Sequence, residues 1–277
     1  MDNSADWVMG VRSAMISGPM AARSSHPDPQ QRLTELRRWF ASALGQALAD
    51  KEQAVLAEHL PDLFGYHLLS VDAPYRQRAL ESSRISHQVQ QSRLPCNGSM
   101  ACGLEGEAEG LPIQSDSLDA IILPHSLEFC RDPHQVLREA DRCLVPEGHL
   151  VILGFNPISW WGAWGLVARW HNPMPWRLRS ISMNRLEDWL SLLGFDTLHA
   201  VALFHRPPLQ SQRALERLRF LESPGHWQTS LLAGAYCLVA RKRVATLTPI
   251  RPRWRPRRGL LGAGVAEPTN RSYHDRG

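Results

Sequence analysis

The chain has 277 residues, 43% of them apolar, which suits one principal domain with long appendages and falls short of two full domains. Its formal net charge of +4 is uneven: residues 241–277 hold ten Lys or Arg against two acids, a net of +8, while the other 240 hold 21 against 25, a net of −4. No window approaches the ~18 to 20 apolar residues of a membrane span, and the N-terminus lacks a basic leader followed by an apolar core, so neither a transmembrane segment nor a signal peptide is expected.

Residues 1–30 are expected to be disordered. Arg32 to His59 reads as a helix with Leu33, Leu36, Phe40, Leu44, Leu48, Val55 and Leu56 along one side, bent or broken near Gly45 and Asp50. Tyr66 to Val71 is the first strand and Arg76 to Ser83 a short polar crossover helix. Ile85 to Val89 is a weak second strand, and Met100 to Leu104 a weak third one. Leu118 to Leu123 is a short Ile-rich run closed by Pro124, as expected of a strand covered on both faces. Asp132 and Pro133 supply an N-cap and a first-turn proline to a helix whose apolar face is Val136, Leu137, Ala140, Cys143 and Leu144. The helix stops at Pro146 and Gly148, and His149 to Phe155 is a second buried strand. Strand, helix and strand in about forty residues make a right-handed crossover with parallel strands. A helix at Asn184 to Leu193 and strands at Thr197 to Phe204 and Ala235 to Arg241 complete the principal domain, taken as residues 31–245.

The stretch from Leu111 to Val151, with Glu107 just before it, resembles the second half of a class I S-adenosylmethionine-dependent methyltransferase domain of the type 11 kind. The resemblance rests on Glu107, Leu111, Pro112, Asp116, Ser117, Leu118, Asp119, Asp132, Pro133, Leu137, Arg138, Glu139, Leu144, Pro146 and Gly148, in that order and spacing. It implies an α/β, Rossmann-like fold with a mostly parallel seven-stranded sheet, helices on both faces, and the last two strands as an antiparallel edge. It also implies S-adenosylmethionine as cofactor and a methyltransferase activity.

In an open parallel sheet the ligand crevice lies outside the carboxyl ends of the strands, where the strand order switches. That rule selects Ser70, Val71, Asp72 and Ala73 after the first strand, Glu107 and Ala108 after the third, and Leu123, Pro124 and His125 after the fourth. By resemblance the first group approaches the methionine part of the cofactor, Glu107 faces the adenine amino group, and the post-strand-four backbone flanks the cofactor. The family's first loop carries three glycines, which let the backbone approach the ligand and adopt positive φ. Here that loop reads Asp72, Ala73, Pro74, Tyr75, and ISHQVQQSRL lacks the acid that grips the ribose hydroxyls. Two readings follow: binding in a variant way, with Asp72 or Glu81 supplying a polar contact, or a methyltransferase fold kept as a binding or regulatory module.

Methyl transfer needs in-line orientation more than a catalytic triad. His125, at the mouth of the crevice, is the candidate base, with Glu128 behind it; together they do not make a metal site. Residues 156–180 carry Trp160, Trp161, Trp164, Trp170 and Trp176 beside Arg169, Arg177 and Arg179. This Trp-rich insertion is expected to be a lid over an apolar or planar small-molecule acceptor, with a surface touching membrane headgroups or a helix packed on the domain's own core as the other readings. The tail 246–277, with Arg251, Arg253, Arg255, Arg257 and Arg258 among prolines, is expected to stay extended and can hold nucleic acid or another anionic surface. Five cysteines without a CxxC pair read as reduced residues of a cytoplasmic protein. Nothing in the sequence specifies an oligomer.

Overall fold

The computed structural model describes residues 28–94, 103–168, 175, 178–208, 212–218 and 233–243. Of residues 1–30, expected to be disordered, 1–27 lie outside these residues and Pro29 and Gln30 instead open a helix; the basic tail, Cys96, Cys102, Trp170 and Trp176 also lie outside.

Asp28 caps α1 (Pro29–Phe40) with its carboxylate on the Gln30 amide, and Pro29 opens the first turn. Ser42 accepts from the Gly45 amide at 3.2 Å and starts α2 (Ala43–His59), so the break falls at Ser42 and not at Gly45 or Asp50. Gly45 has a different task. A Cβ there would stand 2.4 Å from the Trp39 carbonyl oxygen, so the close turn between the two helices demands glycine.

Seven strands among the described residues form one sheet: β1 (His67–Val71), β2 (His87–Ser92), β3 (Leu104–Glu105), β4 (Leu118–Pro124), β5 (Leu144–Phe155), β6 (Phe195–Leu203) and β7 (Ala235–Lys242). Their order is β3-β2-β1-β4-β5-β7-β6. The first five run parallel, and β7 is antiparallel to both β5 and β6. The expected Rossmann-like methyltransferase topology is thus present, with its switch point between β1 and β4.

Alternation along the central strands divides the core. Ala120, Ile122, Val151, Leu153 and Phe155 face α1 and α2, with Leu33, Leu36, Leu48 and Leu56. Ile121, Leu123, Leu150 and Ile152 face the other layer, where α4 (Pro133–Cys143), which follows the single turn α3 (Ser126–Phe129), and α6 (Met183–Leu192) contribute Val136, Leu137, Leu186 and Leu190. Each fully buried aliphatic side chain contributes on the order of 1.5 to 3 kcal/mol, so both layers are needed to hold the sheet.

Several boundaries differ from the sequence expectation. The second strand is HQVQQS, beginning at His87, because pairing with β1 sets the register from His67↔His87 to Val71↔Gln91; Ile85 is a buried residue of the connection, its carbonyl held by the Gln88 side chain at 2.9 Å. The crossover before it is a short 3-10 turn, Arg78–Ser82, and the third strand comes later and is shorter than expected. β5 starts at Leu144, directly after α4. Leu118 pairs with Leu144, then the register shifts past Pro146 and Glu147 (φ 65°) and resumes at Ala120↔His149.

Candidate functional site

β1 and β4 end alike. Asp72 (φ 53°) and His125 (φ 58°) follow their last residues in the left-handed region, which Asp and His tolerate better than most side chains. Asp72 stands in the loop where the family places glycine, and its positive φ supplies the glycine-like turn. Its side chain does something glycine cannot. One carboxylate oxygen accepts the Arg93 amide at 2.8 Å and the other the Arg93 Nε at 2.8 Å, all in the interior. Arg93 also donates to Glu109 at 3.1 Å and lies 5.3 Å from the centre of the Phe129 ring. Burial opposes the guanidinium's charge, but Asp72 and Glu109 outweigh it and raise the Arg93 pKa.

A second buried network lies below. His125 is fully buried and donates from Nε2 to Glu52 at 2.9 Å and from Nδ1 to Glu128 at 3.1 Å. The Tyr75 hydroxyl donates to Glu52 at 2.6 Å, and the Phe155 amide donates to Glu128. Phe40 and Phe155 flank the imidazole at 5.3 and 4.3 Å between ring centres. Burial by itself would lower the His125 pKa; the two carboxylates overcome it and push it up to about 10. Burial pushes the Glu128 carboxyl above its usual range, with His125 pulling the other way. At neutral pH the ring is an imidazolium with both N–H groups engaged. An accessible base at the crevice mouth is therefore not what the fold makes of His125: closing α2 over the strand ends turns it into the centre of an ion network.

Among the other expected positions, Ser70, Val71, Ala73, Ala108, Leu123 and Pro124 are buried. The Ser70 hydroxyl donates to Gln77 at 2.6 Å, and the Ala73 carbonyl accepts from Arg37 at 3.4 Å. Ser126 donates to the Val71 carbonyl at 2.6 Å and so ties the ends of β1 and β4 together. Glu107 is exposed, its carbonyl accepting the Gly110 amide at 3.2 Å, and Glu81 is exposed on the 3-10 turn. The sequence reading missed Glu52, Arg93, Arg37, Gln77 and Gln91. Glu52 did leave a signal, since it interrupts the buried Leu44, Leu48, Val55, Leu56 stripe of α2 with a carboxylate. Arg37 Nε, Gln77 Nε2 and Gln91 Oε1 are buried atoms without a hydrogen-bond partner. All three belong to side chains bonded around the post-β1 loop or the β2 and β3 ends, so the rim offers polar atoms to a polar ligand while the floor is satisfied by the chain itself.

Beyond β5 the surroundings change. A cavity of about 590 Å³ is lined by Phe155, Pro157, Ile158, Trp161, Gly162, Ala163 and Leu178, with Asn156, Ser159, Arg179 and Ser180 as its polar residues. One wall is α5 (Trp160–Ala168). The tryptophans of that helix have separate roles. Trp161 is 2% exposed, donates Nε1–H to the Arg206 carbonyl at 2.8 Å and packs against Trp39, Phe155 and Phe204. Trp160 and Trp164 are 60% and 51% exposed. The lid expectation grouped Trp161 with Trp164, but only Trp164 is exposed, and Trp161 belongs to the core. Cys130, Cys143 and Cys237 are buried free thiols, and burial pushes Cys130 and Cys237 up to about 12.

A family model described as a methyltransferase domain matches residues 54–152. The chain is 36% identical over 186 residues to the uncharacterized protein YafS of Escherichia coli (strain K12), an overlap of 67% of this chain and 72% of that protein. It is 29% identical over 111 residues to a malonyl-[acyl-carrier protein] O-methyltransferase of Dechloromonas aromatica (strain RCB), covering 38% of this chain and 42% of that one. Among solved structures, a Thermotoga maritima S-adenosylmethionine-dependent methyltransferase titled a possible histamine N-methyltransferase superposes with a TM-score of 0.53 at 17% identity, over 77% of this chain and 98% of the other.

Proposed function

The chain belongs to the class I S-adenosylmethionine-dependent methyltransferase family, and from that premise we propose that it methylates an apolar small molecule held in the cavity beyond β5. The family's cofactor is S-adenosylmethionine, which supplies an electrophilic methyl group on a sulfonium when bound. The single observation that carries the acceptor reading is the position of the cavity: it starts at Phe155 and Asn156, at the carboxyl end of β5, which pairs with β4, one of the two strands at the switch point.

The donor set at the rim fits the cofactor. Arg37 would hold a carboxylate, and Gln77 and Gln91 would supply the neutral amide contacts that their unpaired atoms now lack. Val71, Asp72, Ala73, Leu123 and Pro124 would form the floor, with Ala108 at the side and Glu107 reaching in from its exposed loop. α1 covers this rim through Arg37 on Ala73 and Phe40 against Tyr75, so binding requires α1 to move aside. On the acceptor side, Phe155 and Trp161 exclude water, while Asn156, Ser159 and Ser180 orient the acceptor's polar edge. His125 takes no proton in this scheme. Its part is positional, holding α2 to the end of β4.

Calorimetric titration with S-adenosylhomocysteine tests the cofactor half, with weaker binding expected for Arg37→Ala and Gln91→Ala. The acceptor half is tested with anilinonaphthalene sulfonate, a planar apolar anion: Ala163→Trp should displace the dye and leave cofactor affinity unchanged. One observation favours a second reading, a methyltransferase fold serving as a binding module. It is the closed Asp72–Arg93 floor, and absence of cofactor binding even in a Phe40→Ala variant that loosens α1 would select it.

A further inference from the structure

Ile158, Trp160 and Trp164 are three of the seven exposed large apolar side chains among the described residues, and they fall within seven positions. Trp160 and Trp164 are one helical turn apart and share a face of α5. A folded domain gains nothing from holding two indoles in water, and a patch of this kind marks a surface made for a partner. The charge of this segment is one-sided in the sequence. Residues 156–180 contain Arg169, Arg177 and Arg179 and neither Asp nor Glu, and Arg179 is exposed. Indoles beside arginines, without acids, match the headgroup layer of an anionic bilayer, where the ring sits at the apolar boundary and its N–H stays hydrated. A protein partner of ordinary composition would leave those arginines without systematic counter-charge. The cavity adds a second observation. Ile158, Ala163 and Arg179 line it and are themselves exposed, so it opens beside the indole face.

We propose that Ile158 together with the Trp160 and Trp164 face of α5 docks the protein on an anionic lipid bilayer, with the cavity mouth toward the membrane. The indoles enter the interface, and Arg179 stays at the level of the phosphates. An apolar molecule dissolved in the bilayer then reaches the cavity without crossing water. The docking itself stands apart from the methyltransferase reading, because it rests on exposure and charge and not on any cofactor.

The experiment is cosedimentation of the full chain with vesicles of phosphatidylglycerol and phosphatidylethanolamine, beside vesicles of phosphatidylcholine alone. Strong retention on the anionic vesicles, weak retention on the neutral ones, and a loss of roughly tenfold in Trp160→Ser/Trp164→Ser are expected. Brominated lipid should quench wild-type fluorescence and quench the variant much less. Ile158→Asp gives a second variant away from the helix, and a melting curve of each verifies that it folds. Equal retention of wild type and variants overturns the proposal. If retention instead vanishes in the full chain carrying Arg253→Ser, Arg255→Ser and Arg257→Ser while the indole variants bind normally, the basic tail is the membrane contact and the proposal fails. It also fails if the wild type sediments as a dimer and Trp160→Ser/Trp164→Ser as a monomer, since a second copy would then cover the face.

Discussion

The two halves of the carboxyl edge of the sheet solve opposite problems. At the ends of β1, β2 and β4, polar and charged side chains are turned inward and matched: Asp72 with Arg93, His125 with Glu52 and Glu128, Ser126 with the Val71 carbonyl. At the end of β5 the chain leaves a cavity and sets Ile158, Trp160 and Trp164 in solvent. Buried ion pairs lose much of their attraction to desolvation, so the first arrangement gives little net stability while making any single removal costly. The second gives up apolar burial for access. The contrast separates a region where geometry is fixed by partners from one where it is left open for a ligand or surface.

The sharpest way to break the contrast is within one helix. Trp161→Ala should cost ~3 to 5 kcal/mol of stability because it empties a packed core position, whereas Trp164→Ala should stay within ~0.5 kcal/mol. Denaturant melts of the two variants decide it, and comparable losses would mean that the exposed face is structural after all.

Next in size is Asp72→Ala, which leaves the Arg93 guanidinium buried with Glu109 as its remaining acidic partner. A loss near ~3 kcal/mol, the lower end for a broken buried pair, is expected in the same melts. A neutral outcome would mean that solvent reaches Arg93 and that the crevice floor is not closed.

The His125 network predicts a pH dependence whose sign can be worked out. The imidazole rises from an ordinary 6.5 to about 10 on folding, so its contribution is fully present below pH 6.5 and is lost as pH rises toward 10. Across that window the melting temperature should fall, and it should fall less steeply in His125→Gln. A flat profile in the wild type would place His125 in water, contrary to its burial between Glu52 and Glu128.

The smallest effect on the fold is expected at Glu107, whose side chain is exposed. Glu107→Ala should leave the melt unchanged and weaken S-adenosylhomocysteine binding by ~1 to 2 kcal/mol, the range for a lost hydrogen bond involving a charged group. Unchanged affinity in the calorimeter removes Glu107 from the cofactor site.

The legibility of the chain follows the same divide. The cores of the strands between Leu118 and Phe155 could be read, because a doubly covered strand must be apolar throughout, and Asp132 with Pro133 announces the start of the helix between them locally; its end did not, since β5 already begins at Leu144. β2 could not, since HQVQQS is held by pairing with β1 and carries no apolar pattern of its own. The positions of the crevice residues followed from the topology rule; their states did not. Whether His125 is a base or an imidazolium depends on Glu52, 73 residues earlier, and whether Asp72 is free depends on Arg93. The sequence by itself determined the order of elements and the switch point between β1 and β4, because hydrophobic period and turn chemistry are local. Only the tertiary structure decided which charges meet and which tryptophan is buried, because desolvation and pairing act between side chains that the sequence keeps far apart.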